Sequence, residues 1–209
     1  MSDKEPITLV WTDPVSMKDY RELDFPESPG VYLFIYSVNN FHRITYIGET
    51  DSIRRRINEY FRDYKKPNEK GHSLDLSLVE NDICKILGTV SGNSIQKLHQ
   101  GHIYYPSDSF GVKINDDIYW EIRKKFFEES FFSYCCCGLE DESVRLKVQR
   151  NLQMYFVRYF DSMDYGGGNY FIGACSSEKG YFDKELVIHN RYNDSRLQML
   201  PFTVRYDWE

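Results

Sequence analysis

The sequence lacks the features that mark membrane-spanning and secreted proteins. No apolar run reaches the ~18 residues that a membrane helix needs, and the first residues, MSDKEP, are polar where a signal peptide would be apolar. We therefore expect no membrane association and a cytoplasmic location. The five cysteines are odd in number, form no C-x-x-C pair and include three in a row, Cys135–Cys137. Neighbouring strand residues point to opposite faces, so we expect reduced thiols there.

Signals for a zinc site or a nucleotide-binding loop are also missing. The five histidines are scattered; His99 and His102 are three apart and could share a helical face, but they have no cysteine or carboxylate neighbours at ligand spacing. The glycine-rich stretch 161–169 is not followed by the Lys-Ser/Thr pair of a phosphate-binding P-loop. Both absences argue against the zinc-finger and P-loop classes.

The charge balance does not indicate a protein coated for nucleic acid. The chain has 209 residues, a formal net charge of −6 and a pI of about 5.5. One stretch, Arg54–Lys66, departs from this balance with six basic residues against two acidic ones. Such a local patch is compatible with docking DNA at one face, and equally with an acidic protein partner.

The most informative stretch, Pro29–Phe61, predicts two strands followed by a helix. The apolar, β-branched and aromatic run Val31–Tyr36 predicts the first strand. Ser37–Asn40 supplies turn residues, and Ile44–Ile47 is the return strand. The helix is expected to start near Ile53, directly after a run of side-chain oxygens that can cap it.

Two tripeptides in this stretch resemble the signature of a known family. Gly30-Val31-Tyr32 and Tyr46-Ile47-Gly48 are similar to the two motifs of the GIY-YIG nucleases, in which Val for Ile is a common variant. Thr50 also matches, and Arg56 lies ten residues after the second tyrosine, as in the family. The resemblance implies an α+β fold (an α/β sandwich), in which helices flank a small mixed or antiparallel sheet. Either tripeptide alone would fit an ordinary edge hairpin.

By resemblance, the catalytic residues are Tyr32, Tyr46 and Arg56. Tyr46 or Tyr32 would orient or deprotonate the attacking water, and Arg56 would hold the scissile phosphate. A phenol has a pKa near ~10, so it needs a nearby cation to act as a base. Three successive arginines cannot share one helical face, and the family register singles out Arg56. The candidates for DNA binding are Arg54, Arg55, Arg62, Lys65, Lys66 and Asn169.

The expected metal position departs from the family pattern. In the family, a glutamate on a long helix holds one divalent cation, so the implied cofactor is Mg²⁺ or Mn²⁺. The best register places this position at Gln149, and an uncharged amide oxygen binds Mg²⁺ weakly. Glu142, two turns earlier, or Glu49, directly after the second tripeptide, could supply a carboxylate. The metal site therefore either takes its carboxylate from another residue or supports only weak catalysis.

The rest of the chain is read from its hydrophobic periodicity. We divide the chain into an N-terminal extension (1–28), a GIY-YIG-like domain (29–170) with an insertion at about 65–115, and a C-terminal extension (171–209) packed on the same domain. The further predicted elements are a strand at Ile7–Trp11, a short helix at Ser16–Leu23, a buried strand at Phe131–Cys137 beside the hairpin, a long helix at Leu139–Phe160, and strand-like pieces at Leu186–His189 and Phe202–Tyr206. Asn169, after the glycine-rich loop, is either a substrate contact or a turn residue.

Three functions remain open at this point. The first is a metal-dependent endonuclease that hydrolyses nucleic-acid phosphodiester bonds, with DNA as the expected substrate. The second is a catalytically weakened domain that binds nucleic acid or protein, which Gln149 and the acidic net charge suggest. The third is an unrelated protein with a coincidental hairpin. A restriction-type enzyme would often need a homodimer to cut both strands, and a protein partner is the other assembly considered.

Overall fold

The computed structural model describes residues 5–19, 23–38, 41–64, 128–162 and 182–206. Within these ranges the chain forms two sheets and two α-helices, so the expected α+β fold is confirmed. The elements in chain order are β1 (Ile7–Val10), β2 (Val15–Ser16), β3 (Gly30–Val38), β4 (Phe41–Thr50), α1 (Ile53–Tyr64), β5 (Ser130–Cys135), α2 (Glu142–Ser162), β6 (Ile188–Arg191) and β7 (Thr203–Val204), with a 3₁₀ turn at Ser195–Leu197.

The larger sheet has four antiparallel strands in the order β2-β5-β3-β4. Strands β3 and β4 form the predicted hairpin, and β5 lies beside β3, as expected for a buried strand. Tyr32 pairs with Gly48, and Phe34 pairs with Tyr46. Because side chains alternate between the faces of a sheet, Tyr32 and Tyr46 lie on the same face as diagonal neighbours.

Each face of this sheet is covered by one helix. On one face the core contains Leu33 and Ile47 together with Val148 and Leu152 of α2. The core on the other face contains Tyr32, Phe34, Phe132 and the α1 residues Ile53 and Ile57. Strand β3 is therefore buried on both faces, which explains why nearly all its residues are apolar or aromatic.

The smaller sheet joins the two ends of the described chain. Strand β1 pairs in parallel with β6, and β7 pairs antiparallel with β6. Trp11, directly after β1, donates a buried hydrogen bond from Nε1 to Oδ1 of Asn190 at 2.9 Å. The next residue, Thr12, donates from its backbone N to the carbonyl of Tyr134 at 3.0 Å, in the larger sheet. Residues 11–12 thus link the two sheets.

Helix α1 starts where the sequence predicts. The Ser52 hydroxyl accepts a hydrogen bond from the backbone N of Arg55 at 3.2 Å, as an N-cap does. The preceding chain satisfies two further free N–H groups of the first turn: Ile53 N donates to Ser28 O at 3.0 Å, and Arg54 N donates to Pro26 O at 2.9 Å. The chain before β3 is therefore fastened to the start of α1.

One predicted element is wrong. The described part of the expected helix Ser16–Leu23 is a strand end and a turn, because Val15–Ser16 pairs with β5 and Met17 N donates to Ser130 O at 3.0 Å. The insertion 65–115 and positions 163–169 of the glycine-rich stretch lie outside the described residues, and the three-part division of the chain remains a prediction. Neither described helix is long and apolar enough to cross a membrane.

Candidate active site

Three tyrosines from three elements meet on the α1 face of the larger sheet. Tyr32 comes from β3, Tyr46 from β4 and Tyr60 from α1, and we call them the tyrosine cluster. The Tyr32 ring centroid lies 5.9 Å from that of Tyr46 and 6.1 Å from that of Tyr60, and Tyr46 and Tyr60 are 6.4 Å apart. The hydroxyl oxygens of Tyr32 and Tyr60 are 3.0 Å apart, which is a hydrogen bond.

The glycines of both tripeptides are required by close contacts at this site. A Cβ on Gly48 would lie 2.2 Å from Cζ of Tyr32 and 2.7 Å from Cε1 of Tyr46. A Cβ on Gly30 would lie 2.5 Å from the carbonyl oxygen of Cys135 in β5. The first glycine thus allows the strands to pack, and the second allows the Tyr32 ring to lie across β4.

Burial governs the protonation of Tyr32 and Tyr60. Burial raises the pKa of Tyr32 well above its usual value, and the neighbouring Tyr60 and Tyr46 act in the same direction, while Arg56 opposes them. Burial likewise raises the pKa of Tyr60 well above its usual value. Both phenols therefore stay neutral at neutral pH and act as hydrogen-bond donors and acceptors. Tyr32 is only 1% exposed, whereas Tyr46 is half-buried and can be reached by water.

Arg56 is the arginine that the fold brings to the tyrosine cluster. Burial works against its charged form, but interactions with Tyr32, Tyr60 and Glu59 outweigh that effect and raise its pKa. Its Nη1 donates to Oε2 of Glu59 at 3.0 Å. Its Nε is buried and has no hydrogen-bond partner among the described residues. Arg56 is thus a permanent cation beside three phenols, which is the arrangement that the family resemblance implies.

Arg54 forms hydrogen bonds with the segment that precedes β3. Its Nε donates to the carbonyl of Phe25 at 2.7 Å, Nη1 donates to Glu27 at 3.1 Å and Nη2 donates to Asp24 at 2.5 Å. These contacts fasten residues 24–27 to α1. The structure therefore gives Arg54 a structural role, and two carboxylates offset the positive charge that we expected to face DNA.

Arg55 lies on the solvent side of α1 and is also paired. Its guanidinium donates to Asp51 one turn earlier and to Glu59 one turn later. Among the other predicted DNA-binding residues, Arg62 lies within α1. Lys65, Lys66 and Asn169 lie outside the described residues. The part of the basic stretch that the structure describes in detail is thus largely neutralised by carboxylates.

The amide of Gln149 contacts the backbone of the second tripeptide. Its Nε2 donates to the carbonyl oxygen of Ile47 at 3.3 Å, and Nε2 of Gln153, one turn later, donates to the same oxygen at 3.1 Å. Strand β4 is an edge of the sheet, and its outward carbonyls need partners. Gln149 therefore lies beside β4, where it acts as a donor to the strand.

Neither Glu49 nor Glu142, the two carboxylates considered as substitutes, fits a cation ligand beside the tyrosine cluster. Glu49 is on the opposite face of β4 from the tyrosine cluster, and its Oε2 accepts from Nε of the buried Arg145 at 3.1 Å. Glu142 is exposed in the first turn of α2, ~10 Å along the axis from Gln149. The described residues contain no group of three or more His, Cys, Asp or Glu that could hold a metal ion.

Two residues of the site were not predicted from the sequence. Tyr60 completes the tyrosine cluster, and Glu59 pairs with both Arg55 and Arg56. A sequence signal for Tyr60 does exist: it lies four residues after Arg56 and seven after Ile53, and residues at these spacings share a helical face. Glu59 has a local signal as well, because it lies four residues after Arg55 and three after Arg56, which are the spacings of helical ion pairs.

Comparisons with known proteins agree with the tripeptide resemblance. A family model described as the GIY-YIG catalytic domain matches residues 28–88. Proteins named UvrABC system protein C are similar to this chain: that of Streptomyces avermitilis is 25% identical over 150 residues (71% of this chain, 19% of the relative), that of Salinispora arenicola 27% over 135 (65% and 18%), and that of Synechococcus elongatus 26% over 157 (68% and 20%). The chain spans about a fifth of the length of these relatives. No solved structure matches it significantly.

Proposed function

Because this chain contains a divergent GIY-YIG domain, we propose that it is a nuclease that hydrolyses phosphodiester bonds, with DNA as its substrate. The observation that carries the proposal is the convergence of Tyr32, Tyr46, Tyr60 and Arg56 on one face of the sheet. Phenols and a fixed guanidinium are suited to a reaction that moves a proton from water and builds negative charge on a phosphoryl group.

Tyr46 is the residue that we assign to the attacking water. It is half-buried, whereas Tyr32 is enclosed by aromatic rings and only 1% exposed. The phenolate form of Tyr46 would accept a proton from the water, the water oxygen would attack phosphorus, the bond to the leaving nucleotide oxygen would break, and that oxygen would take up a proton from solvent. The hydrogen-bonded pair Tyr32–Tyr60 would hold the Tyr46 ring in place through the contacts described above.

Arg56 would bind the scissile phosphate. Its charge is permanent, and guanidinium groups match the geometry of phosphate oxygens. Arg62, Lys65, Lys66 and Asn169 are the other residues that we propose to contact DNA, while Arg54 and Arg55 would contribute less because carboxylates already pair with them.

A divalent cation, Mg²⁺ or Mn²⁺, is the cofactor that the resemblance implies. When bound, it would stabilise charge on the phosphoryl oxygens. The described residues contain no group of three or more His, Cys, Asp or Glu that could hold it, and none of the proposed steps depends on it. The relatives are named as a component of a UvrABC system, so a protein partner is proposed alongside a homodimer. The cytoplasmic location also stays a prediction.

The test is nicking of a supercoiled plasmid with Mg²⁺, with Mn²⁺ and with a chelator. We expect the wild type to nick and Tyr46→Phe to lose about 100-fold or more, the usual size of a proton-transfer contribution. Tyr192→Phe is the matched control, because it removes a hydroxyl that donates to Leu200 O outside the tyrosine cluster. Equal rates for the wild type and Tyr46→Phe would refute the proposal.

A second candidate function, binding of nucleic acid without cleavage, is favoured by Gln149. Gln149 stands at the position where the family resemblance implies a metal ligand, and its amide donates a hydrogen bond to the backbone of β4. If this candidate is correct, the wild type binds a labelled DNA duplex with a marked salt dependence but does not nick it. Gln149→Glu would then gain nicking with Mn²⁺. If that variant stayed inactive, the loss of one carboxylate would not explain the inactivity of the wild type.

A further inference from the structure

Glu59 occupies the outer end of the arginine that we assign to the phosphate. Its Oε2 accepts from Nη1 of Arg56 at 3.0 Å, and its other carboxylate oxygen accepts from Arg55. The side chain of Arg56 is 35% exposed and that of Glu59 is 24% exposed. An anion that approaches Arg56 from solvent therefore meets a carboxylate that is already in place.

We propose that Glu59 is an internal competitor for the phosphodiester at Arg56 and thereby sets the affinity of the site for nucleic acid. The inference rests on the proposed function, since it takes Arg56 to be the phosphate ligand. A carboxylate and a phosphate group both bind guanidinium through paired oxygens. A phosphodiester oxygen would replace the Glu59 oxygen at Nη1 of Arg56, and no covalent bond would change.

The contacts favour competition over a positioning role for Glu59. The carboxylate binds the terminal Nη1 of Arg56, whereas the inner Nε is buried and has no partner among the described residues. Glu59 thus binds the terminal Nη1, which a ligand from solvent would contact, and makes no hydrogen bond to the inner Nε. When it leaves Arg56, it keeps its contact with Arg55, so the displacement does not strand a lone charge.

Arg55 also makes a matched control available. Asp51 and Glu59 are both carboxylates on the same side of Arg55, one turn before and one turn after it. Only Glu59 reaches Arg56 as well. Glu59→Gln and Asp51→Asn therefore remove the same charge from the same stretch and from the same Arg55, and differ in whether Arg56 loses a partner.

The experiment measures binding of a fluorescein-labelled DNA duplex by anisotropy at low salt, without divalent cation. We expect Glu59→Gln to tighten binding about threefold more than Asp51→Asn, which is ~0.7 kcal/mol at 1.4 kcal/mol per tenfold and fits a partly exposed ion pair. In an Arg56→Ala background, the difference between the two changes should vanish. Glu59→Ala serves as a second variant, and thermal melting confirms folding.

Each other outcome overturns a defined part of the account. Weaker binding by Glu59→Gln would mean that Glu59 positions Arg56, and equal effects of Glu59→Gln and Asp51→Asn would leave only general charge. Either result refutes the inference about Glu59. The proposed function survives both results as long as Arg56→Ala weakens DNA binding. Binding that is unchanged by Arg56→Ala, or absent in every variant, refutes the phosphate role of Arg56 and the inference with it.

Discussion

Gly48→Ala should disrupt the tyrosine cluster from within. The added Cβ would lie 2.2 Å from Cζ and 2.3 Å from the hydroxyl oxygen of Tyr32. The Tyr32 ring cannot move aside easily, because it is stacked between Phe132 at 5.5 Å and Tyr46 at 5.9 Å. One of these rings or the β4 backbone must therefore shift, and the shift would carry Tyr46 away from its position.

The magnitude follows from the cost of overpacking a core. Inserting a methyl group into a filled core costs about 1–3 kcal/mol in the free energy of unfolding, and a contact of 2.2 Å with a ring atom belongs at the upper end. At about 2–4 °C per kcal/mol for a chain of this size, Tm should fall by roughly 5–12 °C. Nicking measured well below Tm should fall more than tenfold, because the reacting phenol is displaced.

Gly138→Ala is the matched control. Gly138 has a φ of 70°, so alanine is strained there by about 1 kcal/mol, but nothing lies within 4 Å of the added Cβ. It should lower Tm by a few degrees and leave nicking nearly unchanged. Circular dichroism melting and the plasmid assay, applied to both variants, decide the matter. A Gly48→Ala protein that melts and nicks like the wild type would refute the packing described for Tyr32.

Three further predictions address other parts of the site. Tyr60→Phe removes one hydroxyl of the 3.0 Å pair with Tyr32; we expect unfolding free energy to change by about 1 kcal/mol or less and nicking to fall at least tenfold, and an unchanged nicking rate would exclude Tyr60 from the site. Because burial raises the pKa of Tyr32, the unfolded chain loses a proton above pH ~10 that the folded chain keeps. The stability from this group should be full below that pH and fall above it by up to ~1.4 kcal/mol per pH unit. Tm measured up to pH 11 should therefore fall less for Tyr32→Phe than for the wild type. Glu49→Gln removes the charge that pairs with the buried Arg145 and should cost about 1–3 kcal/mol in urea unfolding, whereas Glu27→Gln, at the exposed pair with Arg54, should cost under ~1 kcal/mol.

The hairpin and the first helix could be predicted because their signals are local. The apolar run of β3 and the capping oxygens before Ile53 each act over a few residues, and both strands and the helix are present. Of the predicted turn Ser37–Asn40, Ser37 and Val38 belong to β3 and positions 39–40 lie outside the described residues. The tripeptides then located Tyr32 and Tyr46, and the register located Arg56. Helical spacing would also have indicated Tyr60, had it been applied to the face that Arg56 and Ile53 define.

The neutralisation of the basic stretch could not be read from the sequence in the same way. Counting charges from Arg54 onward ignores carboxylates that the fold brings from before β3, such as Asp24 and Glu27. By contrast, the pairing of Glu59 with Arg55 and Arg56 has a local signal, because it lies four and three residues after them on the helix. Local charge along the chain therefore overestimated the cationic surface of α1.

The smaller sheet depends on pairing over almost the whole chain. Short strands were predicted near both ends, but nothing in their residues indicated that β1 pairs with β6, a parallel contact between positions such as Ile7 and Ile188. The wrong helix prediction at Ser16–Leu23 has the same origin, because Val15–Ser16 pairs with β5 and Met17 N donates to Ser130 O. Non-local strand pairing decides both cases.

The most direct test of the central claim compares two neighbouring arginines. Arg55 and Arg56 share the same helix and the same chemistry, but only Arg56 lies at the tyrosine cluster. We predict that the wild-type chain nicks the plasmid, that the Arg56→Ala variant does not, and that the Arg55→Ala variant keeps at least half of the wild-type rate. Both variants should remain folded. Equal rates for the two variants, whether both lost or both kept, would contradict the assignment of this cluster as the active site.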